Sequence, residues 1–241
     1  MKNIIGVKIT RVNQLGEYYT KNDGLGMCSP LGYKIMNCTI DMADDDCDEA
    51  TAVTWGANAT FNNCIIKNAG KLVLCGSGDK EKAQLENEQK VYFENCILEN
   101  FGRRGPEVQA GMKVFMNNCL IKNWADPEFF DVRSFGAWAH HGGEIYAQNC
   151  VFWQDEFRFN IADFLCHAWQ SLVDESIISM WFPTKYIPGC CRGLTSGRDG
   201  YVKARHCYKN KWWIRLENHF DPMSRDEAEE LIIKLRCVCG A

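Results

Sequence analysis

Lys90-Val91-Tyr92-Phe93-Glu94-Asn95-Cys96-Ile97-Leu98 is the stretch whose reading decides the fold. Val91 and Phe93 alternate with Lys90, Tyr92 and Glu94, the period of a strand with one face in and one face out. The segment then reaches Asn-Cys and resumes with an apolar pair. The same word recurs as Asn37-Cys38-Thr39-Ile40, Asn63-Cys64-Ile65-Ile66, Asn118-Cys119-Leu120-Ile121 and Asn149-Cys150-Val151-Phe152. Successive cysteines lie 26, 32, 23 and 31 residues apart, and a short alternating segment such as Lys113-Val114-Phe115-Met116-Asn117 precedes the word.

A unit of two or three short strands cannot bury its own apolar face. Stacking the units solves that problem, with each unit hydrogen-bonding to the next at about 4.8 Å. Like residues then form ladders. Cysteine suits the inner ladder as a small adaptable hydrophobe, and asparagine suits the turn because it tolerates left-handed backbone angles. The expectation is a mainly β chain forming a right-handed parallel β-helix, its stacked cysteines left as free thiols. A β-sandwich whose strands happen to end in Asn-Cys is the competing architecture.

The pattern changes near Asp155. Phe164, Leu165, Ala168, Trp169, Leu172 and Val173 fall at helical spacing, and Ser224-Arg225-Asp226-Glu227 forms a capping box before Ala228, Leu231, Ile232 and Leu235. This divides the chain into a β-helix over 1–155 and a helix-containing C-terminal extension over 156–241. The extension is expected to pack on the end or side of the stack and cover an open edge.

A net charge of -4 over 241 residues argues against a protein built to grip nucleic acid. No apolar run approaches the roughly 18 residues of a membrane span. Met1 to Gln14 contains no secretory leader, so the fourteen cysteines are expected to be reduced where the chain is made. Cys190-Cys191, His206-Cys207 and Cys237/Cys239 match no common zinc spacing and read as structural thiols or one disulfide. His140-His141 before Gly142-Gly143 reads as a turn pair within reach of substrate, and Trp181 and Trp212-Trp213 as packing or sugar-stacking groups.

Counting from the ladder cysteines places a charged column across neighbouring units. Asp48 follows Cys38 by ten residues, Lys71 follows Cys64 by seven, Arg104 follows Cys96 by eight, and Arg133 follows Cys119 by fourteen. Acid, lysine and arginine one strand spacing apart can hold an acidic sugar chain.

From about Asn22 to Trp153 the sequence resembles the pectate lyases of polysaccharide lyase family one. Ile66 to Asp79 (IKNAGKLVLCGSGD) is similar to the family segment around its lysine, placing Lys71 there. Arg104-Gly105-Pro106-Glu107-Val108-Gln109 resembles R-x-P-x-x-R, with Arg104 on the first arginine. Gly111 to Asn118 resembles G-x-x-H-V-x-N-N, Trp124 falls on a family tryptophan, and Asn22-Asp23-Gly24 resembles the opening "GDG".

The resemblance implies calcium-assisted β-elimination on a polygalacturonate-like uronate polymer. Arg104 would be the base and Lys71 would bind the substrate carboxylate, with Arg103, Gln109 and Arg133 further along the substrate path. Calcium would sit on Asp23, Asp48 and Glu49. The sequence departs from the family pattern at three positions, one of them Glu107, where many members have arginine. Gln109 replaces the second arginine, and Ala52 stands where the metal motif D-x-x-x-D beginning at Asp48 has its second acid.

A carbohydrate-binding or phage tail-type β-helix that has lost turnover is the alternative, and a glycoside hydrolase a third. The partner is in either leading case an acidic polysaccharide, with neither nucleic acid nor membrane. The setting is extracellular or a virion.

Overall fold

A computed structural model describes residues 1–9, 23–27, 32–42, 49–54, 56–76, 89–126, 134–158, 189–197 and 199–240. Among these the chain is mainly β, in one sheet of eight strands and one of thirteen, with a C-terminal helix. The pairings between neighbouring strands are parallel, and each joins one repeat unit to the next. In the smaller sheet Lys2–Ile5, Tyr33–Met36, Ala59–Asn62, Lys90–Glu94, Lys113–Asn117, Glu144–Gln148, Tyr201–Arg205 and His219–Phe220 follow in sequence order. The larger sheet holds two ladders. One runs through Thr39–Asp41, Ile65–Lys67, Ile97–Phe101, Leu120–Trp124 and Val151–Trp153. The other runs through Glu49–Val53, Lys71–Cys75, Glu107–Val108, Ala137–Ala139 and Arg192–Ser196. The long strand Ile65–Cys75 takes part in both.

The Asn-Cys word sets the corner between the sheets. Asn37, Asn63, Asn95, Asn118 and Asn149 all have φ between 50° and 53°, a left-handed conformation that costs most residues about 1–2 kcal/mol and asparagine less. Side-chain amides tie neighbouring corners together: Asn63 donates to Asn37 at 3.2 Å and Asn118 to Asn95 at 3.3 Å. The next residue is the buried cysteine. Its thiol donates weakly to a carbonyl two residues back and to a carbonyl of the preceding unit, as in Cys96 to Glu94 and Phe61. Burial pushes the Cys96, Cys119 and Cys150 thiols well up. The cysteines among the described residues are free, as the sequence reading expected of the ladder.

Inward residues stack by type. Phe61 lies on Phe93 with centroids 4.8 Å apart, and Ile40, Ile66, Leu98, Ile121 and Phe152 form a second apolar line. All are essentially inaccessible to solvent, and each contributes about 1.5–3 kcal/mol by burial.

The sheets run on past Asp155, where the sequence reading began the C-terminal extension. Tyr201–Arg205 pairs with Glu144–Gln148, and Arg192–Ser196 pairs with Ala137–Ala139. His206-Cys207 is a sixth corner: His206 has φ 50°, and the Cys207 thiol reaches the Ala147 carbonyl. The missing asparagine hid it.

The capping box is present as expected, opening the helix Arg225–Cys239. That helix covers a face of the larger sheet rather than an edge. Ala228, Leu231, Ile232 and Leu235 pack on the outward row Ile65, Ile97, Leu120 and Val151, and Arg236 bonds Glu99 at 2.7 Å. No helix among the described residues is long and apolar enough to cross a membrane. The helix expected over Phe157 to Met180 and Trp181 lie almost wholly outside the described residues.

If the corner depends on both the left-handed angle and the amide bond, Asn118→Ala loses about 1–2 kcal/mol in urea unfolding. Asn118→Gly regains part of that loss, because glycine accepts the angle but restores no amide. Equal stability of all three proteins sinks this account.

Candidate functional site

The charged column expected from the sequence lies in the second ladder of the larger sheet. Glu49 stands opposite Lys71, and Lys71 opposite Arg104. Asp23 continues the row in backbone register with Glu49. Asp48 and Arg133 lie outside the described residues. Lys71 and Arg104 are therefore immediate neighbours on adjacent strands, as the counting from the cysteines required.

The row is buried rather than open to solvent. Glu49 is 8%, Lys71 8%, Arg104 7% and Glu107 4% exposed. Buried charges persist only when paired, since desolvation costs several kcal/mol per ion. Here Lys71 Nζ donates to Glu49 Oε1, and Arg104 Nη1 to Glu107 Oε1. Glu107 comes beside Arg104 because only Gly105 and Pro106 separate them on the chain.

Glu107 also binds His140, whose Nε2 is 2.9 Å from Oε1. Burial pushes the Glu107 carboxyl up, but the His140 hydrogen bond and the Arg104 charge outweigh it and hold the pKa at about 2. An ionised carboxylate only accepts, so the proton on this contact belongs to His140 Nε2. Burial in turn keeps the His140 pKa below its ordinary value, against the pull of Glu107. Neutral His140 then offers Nδ1 as acceptor to Nδ1–H of exposed His141.

Rings hold this cluster in place. His140 stacks on Trp138 with centroids 3.8 Å apart, Phe135 stacks on Trp138 at 4.8 Å, and the Arg104 guanidinium lies 4.5 Å from the Trp138 centroid. The sequence reading singled out neither Phe135 nor Trp138. Trp138 stands directly opposite Glu107 in the ladder, so extending the register by one unit was the signal available.

The remaining predicted positions are engaged elsewhere. Gln109, where the family pattern has an arginine, donates to the Gly76 carbonyl at 3.2 Å. Gly76 has φ 93°, and a β-carbon there would collide with the Gln109 backbone, so glycine is required at this close approach. Arg103 is half-buried, and its carbonyl accepts from Phe135 N–H. Buried Trp124 accepts from the Gln154 amide at 2.8 Å.

Of the positions expected to hold calcium, Glu49 gives its carboxylate to the Lys71 ammonium and Ala52 supplies no side-chain oxygen, while Asp48 lies outside the described residues. Compared with known families, curated proteins and solved structures, the chain finds no match.

Glu107→Gln leaves Arg104 buried without its counter-ion and is expected to destabilise by about 3–5 kcal/mol near neutral pH in urea unfolding. The folded carboxyl titrates at about 2 against an ordinary 4.5. Its contribution is therefore present above 4.5 and lost as pH falls through about 2. The gap between wild type and variant should shrink across that window; a gap independent of pH contradicts the pairing. Neutral His140 makes wild type begin to lose stability earlier, below its ordinary 6.5.

Proposed function

We propose that the chain is a right-handed parallel β-helix of the pectate lyase kind that binds an acidic, uronate-containing polysaccharide without cleaving it. Three parallel ladders per repeat, with asparagine and cysteine in register at one corner, support the architecture. Parallel crossovers are right-handed in about 98% of proteins, which supports the hand. The acidic-glycan partner rests on the family resemblance of Ile66–Asp79 and Arg104–Gln109.

One observation favours binding over turnover: Glu107 sits on Arg104. A base must be free to meet a substrate proton, and the Arg104 guanidinium instead donates to the Glu107 carboxylate. The Lys71 ammonium is likewise committed to Glu49. Such a binding role suits an extracellular or virion component.

A calcium-assisted lyase is the second reading, and it too has a specific support: Arg104 lies directly opposite Lys71. It requires substrate to displace Glu107 and Glu49 from the two cations.

Incubation with polygalacturonate, with and without calcium, separates the readings. Binding with no ultraviolet absorbance from unsaturated uronate is the expected result. A calcium-dependent rise in that absorbance, abolished in Arg104→Ala, would replace the binding role with the lyase.

A further inference from the structure

The outer face of the eight-stranded sheet carries a groove that the charged row does not explain. In-register pairing places Tyr92, Phe115, Tyr146 and Lys203 in one outward line. Glu94, Asn117, Gln148 and Arg205 form a parallel line two residues on. Between the lines runs a groove of about 440 Å³, which crosses the strands and ends at the two cations. That size falls in the range of small-ligand sites.

The two walls differ chemically. Tyr92, Phe115 and Tyr146 stack on one another, with centroids 5.2 and 5.1 Å apart and planes within 15°. Their faces are thus turned to each other, and the groove receives ring edges. Ring edges carry the positive end of the aromatic quadrupole. They suit sugar hydroxyl oxygens, and they offer no flat face to a nucleobase. The opposite wall supplies amides. Asn117 is fixed by donating to Glu94 at 3.0 Å and accepting from Asn149 at 3.3 Å, while Gln148 is exposed and its side-chain amide has no hydrogen-bond partner among the described residues.

Charge selects the ligand. Lys203 and Arg205 are exposed and have no carboxylate partner among the described residues. The outward positions of this sheet hold five cations (Lys34, Lys90, Lys113, Lys203 and Arg205) against two carboxylates, Glu94 and Glu144. The whole chain carries -4, so this basic face stands out against an acidic molecule. An Arg guanidinium takes a carboxylate by two parallel hydrogen bonds.

We infer that this groove is a binding site for an acidic oligosaccharide, with a uronate carboxylate held at Lys203 and Arg205 and sugar hydroxyls along the Asn117–Gln148 wall. The inference rests on the acidic-glycan reading above and moves the binding from the buried row to the opposite sheet.

The test uses the full chain and fluorescently labelled galacturonate oligomers, titrated at low ionic strength. Lys203→Ala/Arg205→Ala is expected to weaken binding by about tenfold or more. Fully methyl-esterified oligomers should bind as weakly to wild type as acidic ones do to the variant. Lys34→Ala, on the same face but outside the groove, should bind like wild type. All three substituted positions are exposed, and unchanged near-ultraviolet circular dichroism checks the fold.

If wild type binds and the double variant binds equally well, the groove is overturned while the acidic-glycan reading stands. If wild type binds no acidic oligomer, that reading fails and the inference with it. Single-stranded oligothymidylate binding as tightly as the uronate, and lost equally in the double variant, would make the face a general polyanion surface and overturn the sugar site.

Discussion

Parallel pairing held in register is the interaction on which the rest of the molecule depends. Side chains alternate across a strand with period two, so a slip of one residue would exchange the entire inner and outer sets. Units of unequal length, such as the 23 residues between Cys96 and Cys119 and the 32 between Cys64 and Cys96, must absorb their differences outside the ladders. The corner asparagines fix where each unit restarts. Their left-handed angles bend the chain at one place, and the thiol that follows reaches back to the unit before. Phe61 meets Phe93, and Tyr92 meets Phe115, because this reset is repeated.

That register also explains a divided electrostatic design. In the larger sheet it brings Glu49, Lys71 and Arg104 side by side. These groups are buried, so they are stable only as pairs, and Glu107 completes the compensation together with His140. In the smaller sheet the same register lines up charges that solvent screens individually, and there cations can stand without partners. Identical geometry therefore yields an internal polar scaffold on one side and an accessible basic strip on the other.

Much of this was legible in the sequence. Five Asn-Cys words located the repeats, and counting from the cysteines put Lys71 beside Arg104. The capping box at Ser224 announced its helix. The sixth repeat escaped because His206 adopts the left-handed angle in place of asparagine. Burial of the charged row escaped for a different reason: spacing along a strand gives the neighbours of a side chain, while exposure depends on what lies over the sheet. The pairing of Glu107 with Arg104 had a local cue in their separation of three residues. That cue becomes informative only once the intervening Gly105-Pro106 segment is known to bring both groups to a common contact.

The line of thiols has a consequence for the environments this chain can tolerate. At Cys38, Cys64, Cys96, Cys119 and Cys150 the side chain is sealed from solvent, and the thiol donates to main-chain oxygen. Thiolate is the form attacked by oxidants and electrophiles, and in the Cys96, Cys119 and Cys150 sites burial suppresses it. Once folded, such a column is screened from oxidants and electrophiles that arrive through solvent.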